Sequence, residues 1–438
     1  MAEPAAAPSP YADRVPRARA DFADRNPGSH RRYDDARTVL PGGHTRTVLT
    51  HPPFPVTFVR GEGAVLWDAD GHEYIDLLGD YTAGLLGHSE RRVLDAVTAG
   101  LATNVSVGGI HPAEAQLAHL MCERFGLDRV RFTNSGTEAN LMAITTALMA
   151  TGRKKIIVAL GGYHGGVLYF ASGPAAWNAP YDFVLAPYND LAGSQALIEE
   201  HASDLAAVLV EPMLGSAGCL PAEAAYLQGL FAAARAVGAV TIADEVMTSR
   251  HGRSGLADLL GATPDMTTYG KYIGGGFSFG AFGGNADLLD QYDTSPESGR
   301  DKVISHAGTF NNNLATMTAG VAVLGQVYTA DVAEAHTARG DDFRRQVEAV
   351  LAASDMPVSV TGYGSSMNLH ADGQAPVVLW DLLRRDASLQ ELIYLGLLKR
   401  GIYIAFRGMI NLGLAHTDDQ LARFLDALAD TLAELRAG

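Results

Sequence analysis

The sequence is poor in several residues whose abundance marks particular classes of protein. Only two of its 438 residues are cysteine, and 33 lysines and arginines stand against 49 aspartates and glutamates, which gives a formal net charge of −16. The cysteines, Cys122 and Cys219, lack the close spacing of a metal or redox motif. The acidic balance argues against nucleic acid or an anionic membrane as the main partner. We therefore expect a cytoplasmic protein without a metal centre.

Long apolar runs are also missing. No uninterrupted apolar stretch reaches the roughly 20 residues that a membrane-spanning helix needs. The start of the chain is rich in alanine and proline and has no cationic leader followed by a sustained apolar segment, so it does not resemble a secretory signal. We expect no membrane association, and we expect roughly the first ten residues to be disordered.

Short apolar runs that alternate with helical patterns are present instead. Three of them, Ile156–Leu160, Ala207–Val210 and Val240–Ala243, are bounded by glycine, proline or acidic residues, as buried parallel strands usually are. A helical pattern from Pro221 to Val237 precedes the last of them. The alternation predicts an α/β fold with functional residues at strand ends, and the chain length predicts two subdomains.

The C-terminal segment follows a different pattern. Thr417 and Gln420 have the spacing of a helix capping box. An apolar stripe at helical spacing follows them and consists of Leu421, Phe424, Leu425, Leu428, Leu432 and Leu435. We expect this helix to close a smaller α+β domain.

An anion-binding turn is predicted at Ser135-Gly136-Thr137, directly before an apolar helical segment. Two hydroxyl groups and a glycine at the start of a helix offer side-chain donors and unpaired backbone N–H groups, and the helix dipole favours a negative charge. An ordinary helix N-cap is the commoner explanation of such a turn when it stands alone.

A lysine and an acid that follow this turn in the sequence indicate that it belongs to a cofactor site. Asp244 ends an apolar run, and Lys271 stands shortly before three consecutive glycines, which suit neither a regular helix nor a regular strand. In this chain order the three elements predict a pyridoxal phosphate enzyme. Lys271 would bond to the cofactor aldehyde and move a proton, Asp244 would pair with the pyridinium nitrogen, and Ser135, Gly136 and Thr137 would hold the phosphate.

Two further residues are predicted to enclose the cofactor ring. Val246 would pack against one face, and Tyr163, in a glycine-rich loop, would stack on the other. We assign no chemical role to His164.

One competing motif belongs to another class of enzyme. Gly276-Phe277-Ser278-Phe279-Gly280 matches the G-x-S-x-G pattern of serine hydrolases, but it follows a glycine run rather than an apolar strand. We interpret Ser278 as a loop serine. A serine hydrolase that uses Ser278 and a binding protein without catalysis remain the alternatives from other classes.

With these motifs the chain resembles the class III, fold-type I aminotransferases over nearly its whole length. The matching segments are Leu40–Gly43, Trp67–Gly71, Asn134–Ala139, Asp244–Val246, Gly270–Lys271 and Gly308–Asn313. The resemblance implies a large domain with a mainly parallel seven-stranded sheet and a smaller α+β domain. It implies a homodimer with shared active sites, in which Thr309 reaches the phosphate of the neighbouring subunit's cofactor, and it places Glu211 near the cofactor.

The same resemblance suggests the division of the chain into parts. Residues 1–80 would form an N-terminal segment that contributes to the small domain and the substrate site. Residues 81–325 would form the cofactor-binding large domain, and residues 326–438 the C-terminal small domain.

Two activities within the family remain open. The Pro-Gly-Gly start and the Asn134–Ala139 turn resemble glutamate-1-semialdehyde aminomutase, but Arg407 stands where that group usually has a glutamate. Asp80–Gly84 and Gly270–Gly276 instead resemble the β-phenylalanine type of β-amino acid aminotransferase.

In that second group the resemblance assigns substrate contacts. Arg46 would bind the substrate carboxylate, Arg407 would serve the distal carboxylate of an α-keto acid such as 2-oxoglutarate, or swing away for an apolar side chain, and Tyr81 would line the substrate pocket. The implied substrates are an aromatic β-amino acid as amino donor and 2-oxoglutarate or pyruvate as acceptor. Racemase or epimerase activity is a further possibility of the same cofactor chemistry.

Overall fold

The computed structural model describes residues 9–171, 173–373 and 386–437, so most of the predicted disordered tail, residues 1–8, lies outside the described chain. Its strands are β1 (Phe58–Glu62), β2 (Val65–Asp68), β3 (Glu73–Asp76), β4 (Arg129–Thr133), β5 (Lys155–Ala159), β6 (Asp182–Ala186), β7 (Leu205–Val210), β8 (Met213–Leu214), β9 (Leu220–Pro221), β10 (Val240–Asp244), β11 (Met266–Gly270), β12 (Gly280–Gly284), β13 (Ser359–Tyr363), β14 (Ser366–His370), β15 (Ile402–Tyr403) and β16 (Met409–Asn411). Its α-helices are α1 (Val15–Arg25), α2 (Pro27–Arg37), α3 (Arg91–Leu101), α4 (Pro112–Phe125), α5 (Gly136–Thr151), α6 (Leu191–Glu200), α7 (Ala224–Ala236), α8 (Leu256–Leu259), α9 (Ala286–Leu289), α10 (Leu314–Ala322), α11 (Ala330–Ser354), α12 (Ala387–Lys399) and α13 (Asp418–Ala437).

A seven-stranded sheet forms the centre of the fold, with the strand order β4–β12–β11–β10–β7–β5–β6. All neighbouring pairs from β11 to β6 are parallel, whereas β12 runs antiparallel to both of its neighbours. The three strands predicted from apolar runs are β5, β7 and β10. Every residue of β7 and β10 is buried, because helices cover both faces of such a sheet and leave no polar side.

The register of this sheet brings the predicted site residues to one edge. Asp244, the last residue of β10, pairs with Thr268 of β11, and Val210, the last residue of β7, pairs with Ala243. Parallel strands end on the same side, so the residues that follow β4, β5, β7 and β11 meet beside Asp244. The chain therefore places the anion-binding turn, the tyrosine loop, the glutamate and the lysine around a single crevice.

The N-terminal and C-terminal parts of the chain share a second, smaller unit. A four-stranded sheet has the order β1–β2–β3–β15, so a strand near residue 402 closes a sheet that begins at residue 58. A three-stranded antiparallel sheet has the order β13–β14–β16. One apolar core joins Phe22, Phe54 and Tyr74 to residues of α11, α12 and α13. The predicted division of the chain at residues 80 and 325, with the N-terminal segment contributing to the small domain and the substrate site, stays a prediction.

Helix α13 shows how the local sequence directs the end of the chain. The backbone N–H of Thr417 donates to Oε1 of Gln420 at 3.0 Å, and the N–H of Gln420 donates to Oγ1 of Thr417 at 3.2 Å. The predicted capping box is therefore confirmed. Of the predicted stripe, Leu425 is half-buried and the other five residues are buried. Within the described ranges of the chain, no helix is long and apolar enough to cross a membrane.

Candidate active site

The predicted anion-binding turn joins β4 to α5. Ser135 is the N-cap of α5, and its Oγ accepts the backbone N–H of Glu138 at 3.2 Å. The carboxylate of Glu138 in turn accepts the N–H of Asn134 at 2.9 Å. The first amides of a helix have no intrahelical acceptor, and no described residue accepts from the N–H groups of Gly136 and Thr137, so these groups suit an anion at the positive end of a four-turn helix.

Close packing around this turn explains why it contains a glycine. A Cβ atom at Gly136 would lie 2.8 Å from Cγ1 of Val246, and a Cβ atom at Gly165 would collide with the side chain of Thr137. Gly165 also has a φ of +131°, which residues with side chains rarely adopt. Val246 therefore lies directly against the anion-binding turn, and the glycine-rich loop after β5 closes over Thr137.

Asp244 is buried and held by three hydrogen bonds. Its Oδ2 accepts the side-chain N–H of Asn140 at 2.8 Å and lies 2.8 Å from Nδ1 of His164, and its Oδ1 accepts the N–H of Val246 at 3.0 Å. Asn140 is itself fixed, because its Oδ1 accepts the hydroxyl of Thr268 at 2.7 Å. A carboxylate fixed in this way at a strand end presents a negative charge in one orientation.

Asn140 and His164, which hold Asp244, were not assigned a role from the sequence. Asn140 lies on α5 just after the predicted anion-binding turn, and the one sequence signal for its role was a polar amide at the start of an otherwise apolar helical segment. His164 was left without a role because a histidine beside glycines has many explanations. Both now belong to the site as neighbours of Asp244.

Lys271 begins a short 3₁₀ helix, Lys271–Gly274, immediately after β11. Its φ is +54°, an uncommon value for a residue with a side chain and one that is found preferentially at functional sites. Burial lowers the pKa of Lys271, although the carboxylates of Asp244, Asp80 and Glu211 raise it. A lowered pKa increases the fraction of neutral amine, which is the nucleophilic form.

Glu211 directly follows β7 and connects two loops of the crevice. Its Oε1 accepts the N–H of Tyr163 at 2.9 Å, and its Oε2 accepts the N–H of Gly215 at 3.1 Å. Burial raises the pKa of Glu211 to about 7. Tyr163 is 42% exposed, so its backbone is fixed while its ring stands at the surface of the crevice. Stacking of that ring on a cofactor stays a prediction.

The raised pKa of Glu211 predicts how stability depends on pH. The folded protein binds a proton at this carboxyl up to about pH 7, whereas the unfolded chain releases it near its ordinary pKa of about 4.3. Stability from this group is therefore complete below about pH 4 and is progressively lost as the pH rises through about 7.

Denaturation of the wild type and of Glu211→Gln between pH 4 and 8 measures this effect. The stability advantage of the wild type over the variant should shrink as the pH rises. A difference between the two proteins that stays constant over this range would contradict the prediction.

The predicted substrate residues meet around one aromatic ring. The guanidinium carbon of Arg46 lies 5.6 Å from the centre of the Tyr81 ring, and that of Arg407 lies 5.4 Å from the same centre. The hydroxyl of Tyr81 donates to the backbone oxygen of Val48 at 3.1 Å, which fixes the ring. Two cations on one buried aromatic side chain form a local positive region in an acidic protein.

Each arginine also has a polar partner. Nη1 of Arg46 lies 2.5 Å from Oδ1 of Asp80, and Nη1 of Arg407 donates to the backbone oxygen of Ser216 at 3.0 Å. No role was predicted for Asp80 or Ser216 from the sequence, because neither contact follows from the spacing of residues along the chain.

Thr309 and Ser278 lie apart from these contacts. Thr309 is exposed, and its segment is tied to the anion-binding turn by a 2.8 Å hydrogen bond from Nδ2 of Asn134 to Oδ1 of Asn311. Ser278 is exposed in the loop before β12, and no described residue forms a hydrogen bond with its hydroxyl. A hydrolase nucleophile requires a neighbouring base, so the geometry of this loop does not support the hydrolase alternative.

The crevice fits pyridoxal phosphate by the chemistry of its residues. Free amides at the start of α5 suit the phosphate, the buried carboxylate of Asp244 suits a protonated ring nitrogen, and the amine of the half-buried Lys271 suits the aldehyde. Val246 lies between the anion-binding turn and the end of β11 that precedes Lys271, since a Cβ atom at Gly136 and one at Gly270 would both contact its side chain. Among the described side chains, no group of three or more histidine, cysteine, aspartate or glutamate residues is arranged to hold a metal ion.

Comparisons with known proteins agree with this chemistry. The class-III aminotransferase family model matches residues 48–432. A beta-phenylalanine transaminase of Variovorax paradoxus is 46% identical over 408 residues, which cover 93% of each chain. The solved structure of a beta-phenylalanine aminotransferase from Variovorax paradoxus has a TM-score of 0.95 at 44% identity, with 98% of each chain covered.

A second kind of relative matches less closely. A glutamate-1-semialdehyde 2,1-aminomutase of Nitratidesulfovibrio vulgaris is 33% identical over 417 residues, which cover 90% of this chain and 97% of the relative. The predicted fold class, cofactor and kind of enzyme are confirmed by these matches. The chain belongs to the class-III aminotransferases of fold type I, and it is a pyridoxal phosphate-dependent transaminase that acts on an amino donor and a keto acid.

Proposed function

We propose that the enzyme transfers the amino group of an aromatic β-amino acid, such as β-phenylalanine, to an α-keto acid such as 2-oxoglutarate or pyruvate. The observation that carries the proposal is the pair of guanidinium groups on Tyr81, 5.6 and 5.4 Å from its ring centre. Both proposed substrates carry carboxylates, and a guanidinium binds a carboxylate through two parallel hydrogen bonds. The 46% identity to a beta-phenylalanine transaminase supports the same substrate class.

The two arginines differ in the way they are held, and this suggests different tasks. Arg46 is about half exposed and joined to one carboxylate, which suits the constant carboxylate of the amino donor. Arg407 is anchored to a backbone oxygen and has a buried Nε without a partner among the described atoms. We assign Arg407 to the distal carboxylate of a dicarboxylic keto acid, and we expect it to turn away when an apolar side chain occupies the same space.

The residues around the cofactor divide the remaining work. Pyridoxal phosphate, when bound, supplies an electron sink for the carbon that loses its proton. Asp244 would keep the ring nitrogen of the bound cofactor protonated, and the amine of Lys271 would accept and return the proton that the substrate carbon loses. Ser135, Gly136 and Thr137 would hold the phosphate and so position the cofactor beside Lys271.

We also propose that two copies of this chain form a homodimer in the cytoplasm. Apolar side chains are exposed on two neighbouring segments, with Ile110 89% and Phe310 63% exposed. These segments are joined by a 3.2 Å hydrogen bond from Nδ2 of Asn312 to the backbone oxygen of Gly109. Exposed apolar side chains grouped in this way are typical of a surface that another chain covers. The exposed Thr309 lies on the same surface, which is where a residue must stand to reach a neighbouring subunit's cofactor.

A panel of donors and acceptors with chiral product analysis tests the proposed activity. Net exchange of the amino group between β-phenylalanine and 2-oxoglutarate or pyruvate is the expected result. Isomerisation of glutamate-1-semialdehyde without an acceptor would favour the aminomutase alternative, against which Arg407 already argues. Racemisation without net transfer would also reject the proposal.

Substitution of Arg46 tests its part in this activity. The Arg46→Ala variant should raise KM for β-phenylalanine by roughly a hundredfold, because a charged partner of the carboxylate is lost. Arg46→Lys keeps the charge but not the planar pair of donors, so its KM for β-phenylalanine should lie between those of the wild type and of Arg46→Ala. The matched measurement uses 1-phenylethylamine, which has no carboxylate, and its KM should not change. An equal rise in KM for both amines would reject carboxylate binding by Arg46.

A further inference from the structure

The backbone around Tyr81 has an unusual conformation. Four consecutive residues, from Gly79 to Thr82, have φ values of +54°, +44°, +52° and +81°. Non-glycine residues adopt this left-handed region rarely, and a run of them costs free energy that the surrounding structure must offset. The strained turn therefore has to be explained by what its side chains contact.

Two neighbouring side chains of this turn both contact Arg46. Tyr81 lies under the guanidinium, and Oδ1 of Asp80 lies 2.5 Å from its Nη1. In a right-handed or extended segment, adjacent side chains diverge, so they do not ordinarily converge on one group. The left-handed turn allows one residue to contact the face of the guanidinium while the preceding residue contacts its edge.

The contact with Asp80 leaves most of the arginine's binding capacity free. A guanidinium has five N–H donors, and among the residues that the structure describes Asp80 is the one hydrogen-bond partner of the Arg46 side chain. Nε and Nη2, which together form one of the edges suited to a carboxylate, are not used by that contact. Asp80 therefore restrains the side chain without occupying this edge.

We propose that Asp80 is a positioning residue that holds Arg46 in the orientation that binds the carboxylate of the amino donor. The proposal rests on the function proposed above for Arg46. The arginine side chain is 47% exposed and that of Asp80 is 55% exposed, so the ion pair adds little to folding stability. Its contribution is to restrict the rotamers of a long side chain before the substrate arrives.

The Asp80→Asn variant isolates the charge of this residue. Asparagine tolerates the left-handed region at least as well as aspartate, so the turn should keep its conformation. KM for β-phenylalanine should rise about fivefold, while kcat and the KM for 1-phenylethylamine stay near their wild-type values. Binding of 3-phenylpropanoate, which has the carboxylate but no amine, should weaken by the same factor in calorimetry of the holoenzyme.

Three comparisons show whether Asp80 acts through Arg46. Asp80→Glu, which keeps the charge, should restore part of the lost affinity. In the Arg46→Ala background, Asp80→Asn should have no further effect, because coupled residues are not additive. As a control, Glu348→Gln removes the partner of an arginine in an ion pair on α11, that of Arg344, and should leave KM and kcat unchanged.

The outcomes separate this inference from the proposed function. Wild-type enzyme that does not turn over β-phenylalanine rejects the proposed function. Wild-type turnover together with an unchanged or lower KM in Asp80→Asn rejects the inference, and a lower value would mean that Asp80 competes with the substrate for Arg46. An equal change for the amine without a carboxylate would show that Asp80 has only a structural role, and it would reject the inference as well.

Discussion

The Lys271→Ala variant is expected to lose transamination by roughly 10⁴-fold, because we propose that the amine of Lys271 both bonds to the cofactor and moves the proton. The side chain stands at the end of β11 on a backbone with a φ of +54°, and burial lowers the pKa of its amine. Steady-state rates with β-phenylalanine and 2-oxoglutarate measure the loss.

A second measurement identifies the bond itself. Borohydride reduction of the wild-type holoenzyme, followed by peptide mass spectrometry, should find the mass of the reduced cofactor on the peptide that contains Lys271, and the visible absorbance should disappear. The exposed Lys154 provides the matched control, and Lys154→Ala should keep full activity. Full activity in Lys271→Ala, or the cofactor mass on a different lysine, would contradict the prediction.

The Asp244→Asn variant is expected to lower kcat by roughly a thousandfold, the scale on which preorganised electrostatic groups contribute to catalysis. Asparagine has nearly the same shape, but it has no charge to keep the ring nitrogen protonated. The 2.8 Å contacts with Asn140 and His164 would hold the new side chain in place, so the loss would report the charge rather than a collapsed site.

The absorbance spectrum and a charge-matched control distinguish loss of the Asp244 charge from collapse of the site. Cofactor content near the wild-type level, with a changed spectrum and a large fall in kcat, supports an electrostatic role for Asp244. Asp258→Asn removes an equal charge from an exposed position on α8 and should have no effect. If Asp244→Asn retained wild-type kcat, pairing of this carboxylate with the ring nitrogen would be wrong.

The fold, and which residues meet at the end of the central sheet, could largely be predicted from the sequence, because both depend on patterns that are local. The run that became β10 was recognisable from its uninterrupted apolar residues, and Asp244 from its place at the end of that run. Parallel strands end on one side of a sheet, so recognising the elements also predicted that the residues following them would meet. The cap and apolar stripe of α13 were predictable for the same reason.

Contacts between distant segments were decided only by the tertiary structure. Arg46 and Arg407 stand near opposite ends of the chain, and no periodicity predicts that both lie on the ring of Tyr81. Asn140 was not recognised as a support of Asp244, because that contact joins α5 to the end of β10. The amino-acid sequence specified the helices and strands and which reactive side chains stand at the strand ends, because the patterns of apolar residues that define these elements repeat over a few residues. The folded chain alone determined which side chains orient the catalytic and substrate groups, since those contacts depend on how whole elements pack together.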